Sequence, residues 1–384
     1  MHARHVTPLL SRTPRNLPGL VVRVAFFLTA LGLFVVAART SDVGAAFRVV
    51  FGLGPVVLLV TLPAIAAIAL DAVASRASFL RVGLRVPLVR LFVARAATEA
   101  IHGSVPLGAI VADSASPSIF ARAGAVPVPD AIAVLARRKR VLVRAHGVYV
   151  LVASVLGFFA LRSLGRTLAG TDALPCVVAL SALLPFVASG VFGRLLASRN
   201  LAVRIHGLLV RVPWSALRRR LEVALPSFEA TDRALAKAFL SESDPRATGS
   251  PATGGDALVL DALYLGVWCM ETLETFAILR ILGVPADLAA VAAFEAGLSI
   301  VRSIVIVFPS GLGFSELGYV ALFGACGYGG PDVALAFSLV KRGKDLSLVA
   351  LGFALGAGID GRSHASRPAG SVPAMPLVIE SNPP

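Results

Sequence analysis

The sequence predicts an all-α, polytopic helical membrane protein, with about seven spans and two re-entrant (broken-helix) segments in two loosely related halves. Three observations predict it. The 384 residues are 57% hydrophobic and only 15% charged, with a mean hydropathy of +0.82; ordinary soluble domains are about a quarter charged. The apolar residues run in long stretches and do not alternate, so neither a β-barrel nor a disordered chain fits. The remaining charge sits largely between those stretches: 36 Lys and Arg against 22 Asp and Glu, a net +14. In a soluble chain that excess would suggest a nucleic-acid partner. Between apolar stretches it reads as topology, with Lys and Arg collecting in cytoplasmic loops, and secondarily as contact with anionic lipid head groups. No nucleic-acid partner is expected.

Residues 1–240 form the predicted N-terminal membrane half. After a polar start with Arg4, Arg12 and Arg15, residues 24–38 are apolar. Ala37-Ala38 resembles the end of a signal peptide, but further spans follow, so this is read as an uncleaved first helix. Residues 49–70 give the second span, mildly interrupted by Pro55 and Pro63. Residues 91–119 are apolar yet carry Arg95, Glu99, His102, Pro106, Gly108 and Asp113. Basic residues flank both ends: Arg81, Arg85 and Arg90 before, Arg122 and Arg137-Arg138-Lys139-Arg140 after. Both ends then lie on one side of the membrane, which describes a re-entrant hairpin broken near Pro106 and Gly108. Residues 141–161 and 174–191 are ordinary spans. The basic region 193–240, with Arg194, Arg199, Arg204, Arg211 and Arg218-Arg219-Arg220, spaces apolar and basic residues helically and should lie on the membrane surface.

Residues 241–256 (SESDPRATGSPATGGD) read as a flexible linker. The C-terminal membrane half, 257–358, holds spans at 257–279 and 288–308, a broken segment at 309–327 and a span at 333–357; residues 359–384 read as a disordered tail. Cys176, Cys269 and Cys326 lie in apolar stretches without a CxxC and are expected to be buried small residues. The six histidines lack ligand spacing, so no metal is expected. Neither a P-loop nor a GxSxG elbow occurs, so no nucleotide or other cofactor is expected.

The informative residues are those a bilayer makes expensive, at roughly 2.5–3.5 kcal/mol each at a helix centre. Glu271 and Glu274 share a helix face. Glu295 and Arg302 share another. Lys341 and Asp345 form an i,i+4 pair, with Arg342 and Lys344 beside them. Two readings stay open: interhelical ion pairs that fix packing, or a polar cavity at membrane depth. In the second, Arg302, Lys341 and Arg342 meet an anionic group, for which the planar guanidinium is suited. The carboxylates balance that charge, receive a cationic head group or carry a proton. Pro106-Leu107-Gly108 and Pro309-Ser310-Gly311-Leu312-Gly313 interrupt corresponding segments, each followed by a basic cluster. Paired interruptions point to a transporter site at a repeat interface; the other reading is a glycine-rich helix contact without transport.

The run Phe308-Pro309-Ser310-Gly311-Leu312-Gly313-Phe314-Ser315-Glu316 resembles the P-x-G-x-G-x-x-E signature of the lysylphosphatidylglycerol synthase transmembrane, or flippase-like, family. Ala334 to Arg342 resembles that family's basic position on its last long helix. Pro106-Leu107-Gly108 with Asp113, then Arg122-Ala123-Gly124, resembles its first-half motif, with Ala109 and Val111 where glycines are usual. The likeness runs from about residue 20 to 358. The stretch ending Lys341-Arg342-Gly343-Lys344-Asp345 is most similar to the branch associated with hopanoid biosynthesis. The resemblance implies a bacterial inner-membrane protein that handles lipids and works beside lipid-biosynthesis enzymes. The polar residues after Gly358 are too few for the aminoacyltransferase domain some members carry, so no enzyme activity is expected.

The sequence thus predicts a lipid translocator in which Arg302, Lys341 and Arg342 attract a phosphate and Glu316 gates or pairs with them. Two alternatives are an intramembrane lipid-modifying enzyme using Glu271 and Glu274, and a scaffold recruiting partners through the 193–240 region.

Overall fold

The computed structural model describes residues 42–105, 108–198, 200–211, 215–243, 254–304 and 314–365. Among these, every regular element is helical and no strand occurs. In chain order they are α1 (Val43–Gly52), a 3-10 turn (Gly54–Val60) leading into α2 (Thr61–Arg81), α3 (Leu88–Ser104), α4 (Gly108–Gly124), α5 (Val128–Leu156) and α6 (Phe158–Ala169). There follow α7 (Leu174–Ser181), α8 (Leu183–Leu196), α9 (Leu201–Val210) and α10 (Ser215–Ser243). The last four are α11 (Gly254–Ile281), α12 (Leu288–Ile304), α13 (Phe314–Cys326) and α14 (Pro331–Ala365).

Three helical stretches are long and apolar enough to cross a membrane: Gly54–Arg81, Leu174–Leu196 and Ala257–Ile281. A fourth counts if α5 and α6, bent by 82° at Gly157, are one broken span. The sequence counted about seven. Of the others, 24–38 lies outside the described residues. The 288–308 span is described only as far as Ile304, as the 17-residue α12. The 333–357 stretch sits within the 35-residue α14, where the charges at 341–345 cut the apolar run. These apolar helices are those of a membrane protein.

The two ends of the described chain repeat one plan. α2 and α11 end in the same Schellman cap. Leu84 N–H bonds the Phe79 carbonyl and Gly83 N–H that of Leu80; Val284 N–H bonds the Leu279 carbonyl and Gly283 N–H that of Arg280. Both glycines take positive φ, 83° and 76°, which a side chain would strain. A Val-Pro follows each, and the next helices, α3 and α12, begin two hundred positions apart and have 17 residues each. Further on, α4 and α13 end in matching 6→1 bonds, Val126 to Ala121 and Tyr328 to Phe323, with Ala125 and Gly327 at positive φ. The long helices α5 and α14 come next.

These repeats pack as an exchanged pair. α2 lies along α11, α3 against α14, and α12 against α5. The α2–α11 pair is antiparallel: Val60 packs with Ile278 and Leu279 near one end, Ala74 with Leu260 near the other. An antiparallel α2–α11 pair with α3–α14 and α5–α12 crossing between the repeats is the contact pattern that a two-fold arrangement of the repeats would give.

α3 and α4 form an antiparallel hairpin, joined at mid-length by a hydrogen bond from Ser116 Oγ to Thr98 Oγ1 at 3.4 Å. Gly108 opens α4 where a Cβ would come 2.8 Å from the His102 carbonyl carbon. Small residues let α14 settle on this hairpin. A Cβ on Gly352 would strike the Ala96 carbonyl and lie 2.7 Å from Ala100 Cβ, and Gly356 lies over Ala97. Gly352 and Gly356 form the small-xxx-small pattern that lets helix backbones approach closely.

One expectation changes here, that of the cysteines. Within region 193–240, Leu235, Ala238 and Phe239 of α10 join the cluster containing Phe79, Phe120 and Val134. Asp232 caps α9 by accepting from Ala202 N–H at 2.7 Å and Val203 N–H at 3.0 Å, and Lys237 donates to the Val82 carbonyl at the end of α2 at 2.7 Å. The cysteines are not buried: Cys176 and Cys269 are exposed and Cys326 is intermediate. A lipid-facing helix surface is as apolar as a core, so hydropathy could not tell the two apart.

Candidate functional site

The second repeat gathers acidic and basic side chains from three helices. Glu295 sits mid-way along α12 and is almost wholly buried, with 2% of its side chain exposed. It accepts from Lys341 Nζ of α14 at 2.9 Å and from the Thr275 hydroxyl of α11. Lys341 also lies over the rings of Phe337, at 5.3 Å, and Tyr319, at 5.9 Å. One turn further, Lys344 Nζ reaches both oxygens of Glu274 on α11, at 3.0 and 3.1 Å, and meets Asp345 at 2.8 Å. Two lysines on one face of α14 thus bridge to buried glutamates on two neighbouring helices. Such pairs hold only because each charge is matched and hydrogen-bonded.

Of the residues singled out in the sequence, Glu274, Glu295 and Lys341 converge here. Arg342 and Glu271 are half-buried beside them on the same helices. The expected Lys341–Asp345 pairing is replaced: Lys341 crosses to Glu295, and Lys344 takes Asp345. Arg302 and Glu316 lie on α12 and α13, with side chains outside the described set; Pro106, Pro309, Gly311 and Gly313 lie wholly outside the described residues. Thr275 and Lys344 were not singled out as site residues, although Thr275 falls on the same face as Glu271 and one position past Glu274.

The first repeat holds a second network. Asp71 of α2 is buried and accepts from Arg138 of α5, through Nε at 2.7 Å and through Nη2, and from Arg95 Nε of α3 at 2.7 Å. Arg95 also reaches Glu99 at 2.7 Å, and Glu99 faces His102 at 3.3 Å. Arg137 and Arg138 are buried, not solvated flanking charges. Their run in the sequence looked like a loop, whereas α5 carries them inward because its amino-terminal half packs against the core. Lys139 does point outward, to Asp113 at 2.8 Å. A third pair ties the repeats together: Arg144 of α5 binds both oxygens of Asp261 on α11 at 2.7 Å.

Behind the Glu295 cluster, Tyr149 OH and Thr272 Oγ1 share a hydrogen bond of 2.7 Å, and Trp268 donates to the Leu142 carbonyl at 3.1 Å. Among the described residues no group of three His, Cys, Asp or Glu side chains is placed to hold a metal ion.

The fold and site define an all-helical protein with membrane-length apolar helices and charged networks buried between them. No protein family, no curated protein and no solved structure matches the chain.

Proposed function

We propose that the chain is a lipid translocator of the bacterial inner membrane, moving lipids with anionic or aminoacylated head groups through a polar cleft between its helices. The observation that carries this reading is the pair of lysines, Lys341 and Lys344, held on one face of α14 by buried glutamates. A lysine is a flexible point charge. Lys341 can exchange Glu295 for a head-group phosphate while Thr275 continues to donate to Glu295. The released carboxylate can then receive a cationic aminoacyl group or a proton. Arg342, Arg302 and Glu316 complete the cleft in this reading.

The repeat supports it. If α2 and α11 cross the bilayer, their antiparallel relation puts the two-fold axis in the membrane plane, the arrangement of inverted-repeat transporters, whose sites lie at the repeat interface. The α3–α4 hairpin is then the re-entrant element of the first half, with α12 and α13 at the matching place in the second. The resemblance to the lysylphosphatidylglycerol synthase transmembrane family points the same way, and on that resemblance lipid-biosynthesis enzymes are the expected neighbours.

Binding tests the head-group step. Purified protein in detergent is titrated with short-chain phosphatidylglycerol and, separately, short-chain phosphatidylcholine. The reading expects preference for the anionic lipid, reduced about tenfold in Lys341→Ala/Arg342→Ala, as loss of a charge-assisted contact implies. Equal binding of both lipids, unchanged in the variant, assigns the cluster to packing alone.

A further inference from the structure

Between α5, α11 and α12 lies an open cavity of about 520 Å³ with almost no polar surface. Tyr149, Val152, Leu156, Cys269, Leu273 and Ala289 are among its lining residues. Its mouth is formed by side chains well exposed on the outside of the helices, among them Leu156 at 63% and Val152 at 45%. The Tyr149 and Thr272 hydroxyls at its wall are bonded to each other and ask nothing of a ligand. The cavity falls in the size range of small-molecule sites.

We infer that this cavity is a seat for one acyl chain of a membrane phospholipid, beside the charged cluster that takes its head group. Three observations select that occupant. Cys269 and Leu273 belong to α11, which is long and apolar enough to cross a membrane, and Val152 and Leu156 to the apolar end of α5, which reaches that length only together with α6; in a bilayer the exposed mouth between them would face hydrocarbon. The lining presents almost no polar surface, which disfavours head groups and water-soluble metabolites. The polar site is close by along the same helices: Thr272 of the lining lies one turn from Thr275, and Ala292 of the lining one turn from Glu295. An amphipathic molecule with its polar end at Glu295 and Lys341 would lay its chain here. A chain entering from lipid exchanges one apolar medium for another, so the cavity supplies position and shape selection, while the charged cluster supplies affinity. The inference rests on the reading that this protein handles lipids, but not on transport.

The test uses the full chain in nanodiscs containing phosphatidylglycerol with a diazirine at mid-chain. Photolysis and peptide mapping report where the chain dwells. The expected result is labelling at Val152, Cys269 and Leu273 several-fold above that at Leu184 and Val187 of α8, which are more exposed. Val152→Phe and, independently, Cys269→Phe, both at exposed positions where folding is not at stake, should narrow the cavity and return labelling to the α8 level. Labelling that follows exposure, or an enrichment that survives both substitutions, overturns the inference. Cavity labelling without lipid movement would count against transport and leave this site standing; lipid movement without labelling would do the reverse.

Discussion

Arg95 and Glu295 stand at the same position of matching 17-residue helices, each seven residues past the helix start, and carry opposite charge. The cation reaches back to Asp71 on α2, and the anion takes Thr275 on α11 and Lys341 on α14. One scaffold thus builds two networks of different character. The first is an acid clamped by two guanidinium forks, the second a pair of acids answered by flexible lysines. The first is suited to holding the fold and the second to exchanging partners, which separates the following predictions.

Removing Asp71 should be a stability defect. Asp71→Ala leaves Arg138 and Arg95 facing each other without their shared acid, a cost of about 3–5 kcal/mol for a broken buried pair. Thermal unfolding in detergent should show a large fall in Tm, with most of it recovered when Arg138 is also made Met. A Tm near wild type for Asp71→Ala would mean that the network does not bear on the fold.

Lys341 and Glu295 should separate fold from function. Lys341→Met takes away the lysine 2.9 Å from Glu295 while the acid stays buried with the Thr275 donor, and should lower Tm. Lys341→Met/Glu295→Gln removes both charges and should restore the unfolding free energy to within about 1 kcal/mol of wild type, since replacing a buried pair is commonly near neutral. Loss of lipid binding in this stable double variant would show that the charges serve the ligand.

The α3–α14 contact depends on the absence of a side chain. Gly352→Leu has no space above Ala96 and Ala100 and should cost about 1–3 kcal/mol by overpacking. Gly358→Ala, where nothing lies within 4 Å, should be neutral. Equal behaviour of the two in unfolding experiments would remove the close approach from the account.

The paired caps give a symmetric prediction. Gly83→Ala and Gly283→Ala place a Cβ at positive φ and should each cost about 1–2 kcal/mol, with similar changes in Tm. A defect at one position only would show that the repeats are not energetically equivalent.

Much of this was legible in the sequence, and what was missed has physical reasons. Composition and the long apolar runs fix the helical class. The glutamates and lysines stand out because an apolar run makes any charge conspicuous. Asp71 escaped notice because it falls one residue beyond a span read as ending at Leu70, where an acid looks like a helix flank. Arg138 was hidden inside a run of four basic residues, though a run along a helix points in all directions and one member must face inward. Lys341 was matched to Asp345 because i,i+4 spacing is visible along one helix, whereas Glu295 is brought to it only by the crossing of α12 and α14. The Gly-Val-Pro of 283–285 and the Gly-x-x-Val-Pro of 83–87 were there to be aligned. They show that the repeat begins at α2 and α11, before the interrupted segments.

The central claim is that lipid moves past the Lys341–Glu295 cluster. The most direct measurement is quencher access to trace fluorescent phosphatidylglycerol in liposomes holding either the wild-type chain or Lys341→Met/Glu295→Gln. The account predicts quenching well beyond the outer-leaflet share for wild type and quenching at that share for the folded double variant. Quenching at the outer-leaflet share for both, or beyond it for both, would contradict it.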